Sequence, residues 1–285
     1  MSAVGGDVSW AQISTDSDSR RVNLLSQALR DAGFANRVEL IQSRPETFEA
    51  DVRAACKVHQ QLRVGGELCE LLPSLTEKVP SSILTLKVAD AYVKQGDEWW
   101  PRNFLNEGLQ RAVVTDVKGF DLTGAVFILG SGCESRAAVA ALARLGFSRF
   151  NVSDPNDEKG QKFIEDVKRS YFGVQFQFVP RHLITQLPSV HSVAINTLDP
   201  GADEGALSEL YYFNFLKSGG LWLDLSLDPT NEELAGEAGA VGAFVEPGFR
   251  VAAWTDLEWS RTAFGVQLDV EAYATALKNA FAKSV

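Results

Sequence analysis

A chain of 285 residues, 45% apolar and 22% charged, is long enough for two domains of ordinary size and apolar enough to bury a core in each. Its formal net charge of −10 excludes broad binding to nucleic acid or to an anionic membrane surface, because both partners demand a basic face. The three cysteines, Cys56, Cys69 and Cys133, are scattered and odd in number, which predicts separate thiols in a reducing, cytoplasmic setting rather than a disulfide frame or a metal site.

The start, MSAVGGDVSW, lacks the basic stretch and apolar run of a signal peptide, and no apolar run elsewhere is long enough to span a bilayer. NLLSQALRDAGF (23–34) places Leu24, Leu25, Ala28, Leu29 and Ala32 on one face with Gly33 near its end, which predicts a helix closed by a glycine cap. RVELIQ follows as a strand. ILTLKVADAYVKQGDEWW (83–100) reads as one or two strands with a turn at Gln95-Gly96-Asp97, and VKGFDLTG (117–124) as a polar link. From Ala125 strand and helix alternate: AVFIL, a helix over 135–145, FNVSD, a helix about 158–171, VQFQFV, SVAIN, a helix about 204–217, and GLWLDLSL. Alternation of this kind predicts βαβ units, right-handed crossovers and a parallel sheet with helices on both faces. Residues 256–285 are predicted helical, with Leu257, Ala263 and Phe264 in one segment and a stripe of Val270, Tyr273, Leu277 and Phe281 in the next.

The stretch ILGSGCESRAAVAALARLG (128–146) joins the first of these strands to its helix through Gly130-Ser131-Gly132. Glycines there permit a sharp turn and let backbone N–H groups approach a pyrophosphate at the positive end of the helix dipole. An acid at the end of the next strand would hydrogen-bond a ribose diol, and Asp154 stands at about the expected 20 residues' distance. The same pattern also suits a plain βα turn, with Asp154 capping the helix after Pro155.

With Arg136-Ala137, an alanine-rich helix and Leu145-Gly146, this turn resembles that of the shikimate and quinate dehydrogenases. Scattered motifs extend the resemblance along the chain in the family's order: SDSRRVN (17–23), VADAY (88–92), PRNFLNEG (101–108), INTLDPG (195–201) and DLSLDPTNEEL (224–234). The resemblance implies an α/β fold of two domains. An N-terminal α/β substrate-type domain would span 1–118, completed by helices in 256–285 that pack back on it. A Rossmann-like, doubly wound parallel-sheet domain would span 119–255, with the active site in the cleft between. It further implies cofactor contacts from Gly130, Gly132, Cys133, Glu134, Ser135, Arg136, Asp154, Asn196 and Thr197, and substrate contacts from Ser17, Ser19, Asp90 and Arg261. Asp154 stands where members preferring NADP carry a basic residue, so NAD is the favoured cofactor.

The departures carry the functional expectation. In the family a lysine and an aspartate face each other across the substrate hydroxyl, and hydride transfer requires a proton to move there. The aspartate's place falls on Leu105, or on Asn106 after a slip of one. The lysine's falls on Leu75 in CELLPSL (69–75), with Lys78 the nearest lysine. Asp90 replaces an asparagine, Leu227 a tyrosine and Arg261 a glutamine, while Trp254 replaces a glycine. Ser17 and Ser19, which in the family hold a substrate carboxylate, here alternate with Asp16 and Asp18, whose charges repel an anion within a Debye length of about 8 Å; Arg20 and Arg21 could compensate, and a polar loop leading into a helix cap is the blander alternative. Glu134 either competes with a pyrophosphate for the helix N-terminus or points to solvent. Trp99, Trp100, Phe104, Trp222, Trp254 and Trp259 read as core aromatics before they read as a stacking surface. His59, His182 and His191 form no triad.

Three functions therefore stand side by side. The first is a shikimate dehydrogenase-like pseudoenzyme that has lost its Lys/Asp pair and binds a small ligand or a protein. The second is an active NAD-dependent oxidoreductase on shikimate or another small hydroxy or keto acid, with Lys78, Asp90 or Arg261 recruited. The third is a structural partner that binds no nucleotide.

Overall fold

The computed structural model describes residues 8–117, 119, 121–198, 208–210, 212–227 and 232–282. These divide into two compact units, one of residues up to Leu105 together with Thr255–Ala280, the other chiefly Asn106–Trp254. The division assigns residues 106–117 to the second unit, whereas the sequence reading grouped them with the first.

The first unit opens with β1 (Val8–Ser14), α1 (Arg20–Asp31), β2 (Asn36–Gln42), α2 (Phe48–Val58) and β3 (Gln61–Val64), and continues through two single-turn helical segments. Next come α3 (Ser81–Leu86), a hairpin of β4 (Ala91–Gln95) and β5 (Glu98–Arg102), and the start of α4 (Phe104–Asp116). Its sheet has the order β2-β1-β3-β4-β5, parallel from β2 to β3 and antiparallel through the hairpin. Helix α1 buries Val22, Leu25 and Leu29 and stops where Gly33 turns to φ +81°, so the predicted glycine cap forms. The predicted turn at Gln95-Gly96-Asp97 also forms, with Gly96 at φ +64°.

Residues 83–86 are not a strand. Pro80 presets the helical entry, Ile83 and Leu86 are buried from one helical face, and Lys87 ends the turn in the left-handed region at φ 62°. A short apolar run does not by itself distinguish strand from helix.

The second unit holds β6 (Ala125–Leu129), α5 (Cys133–Leu145), β7 (Arg149–Ser153), α6 (Asp157–Ser170), β8 (Gln175–Phe178), β9 (His191–Asn196), β10 (Leu216–Asp224), α7 (Glu232–Ala240) and β11 (Phe244–Pro247). The sheet order is β11-β10-β9-β6-β7-β8, every neighbouring pair parallel. All five residues of β6 are buried, as a strand covered on both faces requires. The helix expected over 204–217 does not reach its predicted end. Residues 204–207 and 211 lie outside those described, while 212–215 turn and Leu216 already enters β10. Phe213, Phe215 and Leu216 are drawn into an apolar cluster with Trp222 and Phe127, and Gly219 at φ +71° accompanies a register shift in the strand.

The chain closes with α8 (Gly248–Phe264) and α9 (Val270–Phe281). From Thr255 to Ala280 these helices belong to the first unit. Trp259 packs on Trp10 with ring centres 4.8 Å apart, and Phe264 stacks on Phe34 at 4.8 Å. The predicted stripe on α9 buries Tyr273 and Leu277. No helix among the described residues is long and apolar enough to cross a membrane.

Candidate functional site

At the carboxyl end of the parallel sheet the strand order reverses between β6 and β9, which opens a crevice in folds of this kind. Gly130 leaves β6 at φ +109°, and a Cβ there would lie 2.3 Å from Thr197 Oγ1. That close approach is used: Thr197 Oγ1 donates to the Leu129 carbonyl at 2.8 Å and lies 2.7 Å from Ser135 Oγ. Gly130, Ser135 and Thr197 thus form one knot at the divergence of the two strands. Gly130→Ala is expected to destabilise the protein by about 1–3 kcal/mol, through strain at positive φ and overpacking, measured by urea denaturation.

Gly132 is the N-cap of α5, which starts at Cys133, two residues before the predicted start. Cys133 and Ser135 turn inward and are buried, whereas Glu134 and Arg136 are half-buried. Arg136 pairs with Asp166 at 3.2 Å and lies over the Phe163 ring, both on α6. Asp154 closes β7 with only 4% of its surface exposed. Its Oδ2 accepts from Ser131 Oγ at 2.6 Å and its Oδ1 from the Asn156 N–H at 2.8 Å. The cap of α6 is Asn156, whose side chain accepts from the Lys159 N–H, so Asp154 is left to anchor the glycine turn. Asn196 is fully buried and donates to Asp224 Oδ1 at 3.1 Å, tying the ends of β9 and β10 together.

In the first unit the other candidates have separate partners. Ser17 is exposed; Ser19 is the N-cap residue of α1 and accepts from Asn23 Nδ2 at 3.1 Å. Arg20 grips Asp18, and that pairing holds the Asp18 carboxyl below its ordinary value. Asp90 accepts the N–H groups of Phe104 and Leu105 at 2.7 Å each, so its carboxylate caps the first turn of α4. Leu75 ends a single helical turn, and Lys78 forms an exposed ion pair with Glu98. Arg261, half-exposed, pairs with buried Glu258 on its own helix. Leu105 and Asn106 stand in the first turn of α4, with Asn106 buried.

Two buried ionic clusters escaped the sequence reading. Asp256, wholly buried, accepts from Arg21 Nη2 at 2.8 Å, Arg63 Nη2 at 2.7 Å and Tyr273 OH at 2.8 Å. Burial alone would raise its pKa, but the two guanidinium groups more than offset this and hold it low. In the second unit Asp116 bonds Arg250 and accepts from Trp254 Nε1 at 2.8 Å, while Arg250 Nε lies 3.4 Å from Glu246. Two carboxyl groups share one guanidinium there. Burial, reinforced by the Asp116 charge and only partly offset by Arg250, pushes Glu246 up to about 8.

A six-stranded parallel sheet of this order, a glycine turn at its switch point and an acid closing the second strand define a Rossmann-type doubly wound unit, here joined to a smaller α/β unit.

No protein-family model matches the chain. In sequence it is similar to the shikimate dehydrogenase (NADP(+)) of Geobacter metallireducens, with 26% identity over 200 residues covering 66% of this chain and 69% of that protein. Its fold matches the Listeria monocytogenes shikimate 5-dehydrogenase in complex with shikimate and NAD at a TM-score of 0.82, with 14% identity and 96% and 97% of the two chains covered. The Corynebacterium glutamicum quinate dehydrogenase in complex with NAD matches at 0.79, with 17% identity and coverage of 96% and 99%. In sequence the chain is similar to shikimate dehydrogenases, and it has the two-domain α/β fold of the shikimate and quinate dehydrogenases.

Proposed function

We propose that the protein is a shikimate dehydrogenase-like, dinucleotide-binding protein that has lost proton-coupled hydride transfer on shikimate and uses its nucleotide unit to bind a ligand or to present a surface to a protein partner. The observation that carries this reading is Asp90: both of its oxygens are taken by the backbone of α4, whose first turn presents Leu105 where the family has its aspartate. Lys78 is likewise held in a surface pair with Glu98. A proton relay needs an acid and a base within reach of the same hydroxyl, and these candidates are committed elsewhere.

The residues of the turn fit a nicotinamide dinucleotide. The Gly130-Ser131-Gly132 backbone and the first turn of α5 would face its pyrophosphate, and Asp154, fixed by Ser131 and Asn156, would accept from the adenosine ribose hydroxyls. A bound nicotinamide would supply a hydride acceptor or donor. A buried carboxylate beside the ribose favours NAD over NADP, since it would repel a 2′-phosphate. The three thiols, free in the structure, support a reducing, cytoplasmic setting.

The test is an absorbance assay of nicotinamide reduction with shikimate and either NAD or NADP, run beside a binding titration. No shikimate-dependent turnover is expected, and Asp154→Ala should narrow the preference for NAD by about tenfold, the scale of one lost charge interaction. Shikimate oxidation at an ordinary enzymatic rate would overturn the pseudoenzyme reading and favour the active oxidoreductase.

A further inference from the structure

We propose that the free edge of β2 is a self-association surface, on which a second copy of this chain pairs antiparallel and joins two five-stranded sheets into one. Four strands end the two sheets. Of these, β5 has five residues including Pro101, β8 has four, and β11 has four including Pro247. The fourth, β2, has seven residues, Asn36–Gln42, and no proline. A long edge strand without proline is a template for another strand, and natural proteins shorten, break or cover such edges unless they use them.

The hydrogen bonds to β1 show which main-chain groups of β2 are free. Val8 N–H donates to the Ala35 carbonyl and Ser43 N–H to the Ser14 carbonyl, in a parallel register that sets Val8 beside Asn36 and Ser14 beside Gln42. Alternate residues of each strand supply the bonds of a parallel ladder. The odd-numbered residues of β2 therefore face β1, and Val38 and Leu40 turn their N–H and C=O groups to the open edge. Their side chains are half-buried, so a pairing strand would cover apolar surface as well. Arg37 and Glu39 project from the opposite face of the strand and are exposed. Arg37 forms no ion pair among the described residues. Glu39 Oε2 lies 3.1 Å from His59 Nε2, yet the Glu39 side chain stays 61% exposed, which leaves its second oxygen for a partner.

These two charges choose the register. A two-fold axis at Val38 sets Val38 opposite Val38 of the partner subunit, the two exchanging both main-chain bonds. The same axis sets Arg37 opposite Glu39 of the partner subunit, and Glu39 opposite the partner's Arg37, in the non-hydrogen-bonded positions where side chains approach most closely. Moving the axis by one residue sets two Glu39 carboxylates against each other, which is destabilising. Charges on an edge strand usually guard it. Opposite signs two residues apart guard against the slipped register and admit this one. The net charge of −10 repels the copies at long range, so the contact depends on these short-range bonds and pairs.

Sedimentation velocity of the full chain over a range of concentrations tests the proposal, with melting temperatures confirming that each variant is folded. The wild type is expected to form a concentration-dependent dimer. Arg37→Glu and Glu39→Arg should each weaken it about tenfold or more, since each reverses two symmetric pairs. Combining the two substitutions exchanges the charges and should restore association close to the wild-type affinity. Val38→Pro removes an N–H that no bond to β1 uses, so it should fold and remain monomeric; if it does not fold, the charge variants carry the test. A wild type that is monomeric at every concentration would overturn the proposal. So would a dimer that the single charge reversals leave at wild-type affinity, or a double variant that associates no more tightly than the single ones.

Discussion

Asp256→Ala is expected to cost about 3–5 kcal/mol of folding stability, the range for removing one partner from a buried ionic cluster. The carboxylate is wholly buried and accepts from Arg21, Arg63 and Tyr273, so its loss leaves two guanidinium groups and a phenol facing a void. Arg21 comes from α1, Arg63 from β3 and Tyr273 from α9. One carboxylate therefore binds the C-terminal helices to the sheet of the first unit. Chemical denaturation of wild type and variant measures the effect. The Asp256 pKa is held low, so the stability it contributes is present above the ordinary carboxylate range and is lost as pH falls through the lowered value. Acid unfolding of the wild type should accordingly have a component that Asp256→Asn lacks. A loss below about 1 kcal/mol, the typical worth of a surface pair, would show that the cluster does not hold the unit together.

Glu246→Gln is expected to flatten the pH dependence of stability on the neutral side. The Glu246 pKa is raised to about 8 by burial and by Asp116, with Arg250 only partly compensating. Asp116 comes from α4 and Arg250 from α8, and these are the charged groups in contact with it. Between the unfolded value near 4.5 and the folded value near 8, the folded chain keeps a proton that the unfolded chain has released. Stability therefore falls across that window and levels off above it. At about 1.4 kcal/mol per pH unit, the wild type should lose of order 3–5 kcal/mol between pH 5 and pH 8 that the glutamine variant keeps. Parallel stability curves for the two proteins would show that Glu246 ionises at its ordinary pH.

The parallel sheet was legible because its strands are nearly continuous apolar runs, such as AVFIL, punctuated by glycines whose positive φ the turns use. The places of Gly130, Gly132 and Asp154 in the fold were legible as well, because each sits at the boundary of a strand or helix. Residues 83–86 were misread because four apolar residues fit either period, and only Pro80 before them and Lys87 after them mark the turn. The start of β10 was obscured by its two glycines and by aromatic residues that serve the core as well in turns as in a helix. The ionic clusters were not legible, since Arg21 and Asp256 are 235 residues apart in sequence and only the fold brings them together. The partners of Asp90 and Asn196 were hidden likewise, because a cap on another element or a bond between neighbouring strand ends leaves no local spacing.

Under the proposed function the glycine turn holds a dinucleotide without a proton-transfer pair beside it. Calorimetric titration of NAD and NADP into the wild-type protein tests it most directly. A saturable heat with NAD, weaker with NADP and diminished by Asp154→Ala, is the result predicted. No heat with either cofactor, and an unchanged melting temperature when each is present in large excess, would contradict it and leave the turn as scaffold alone.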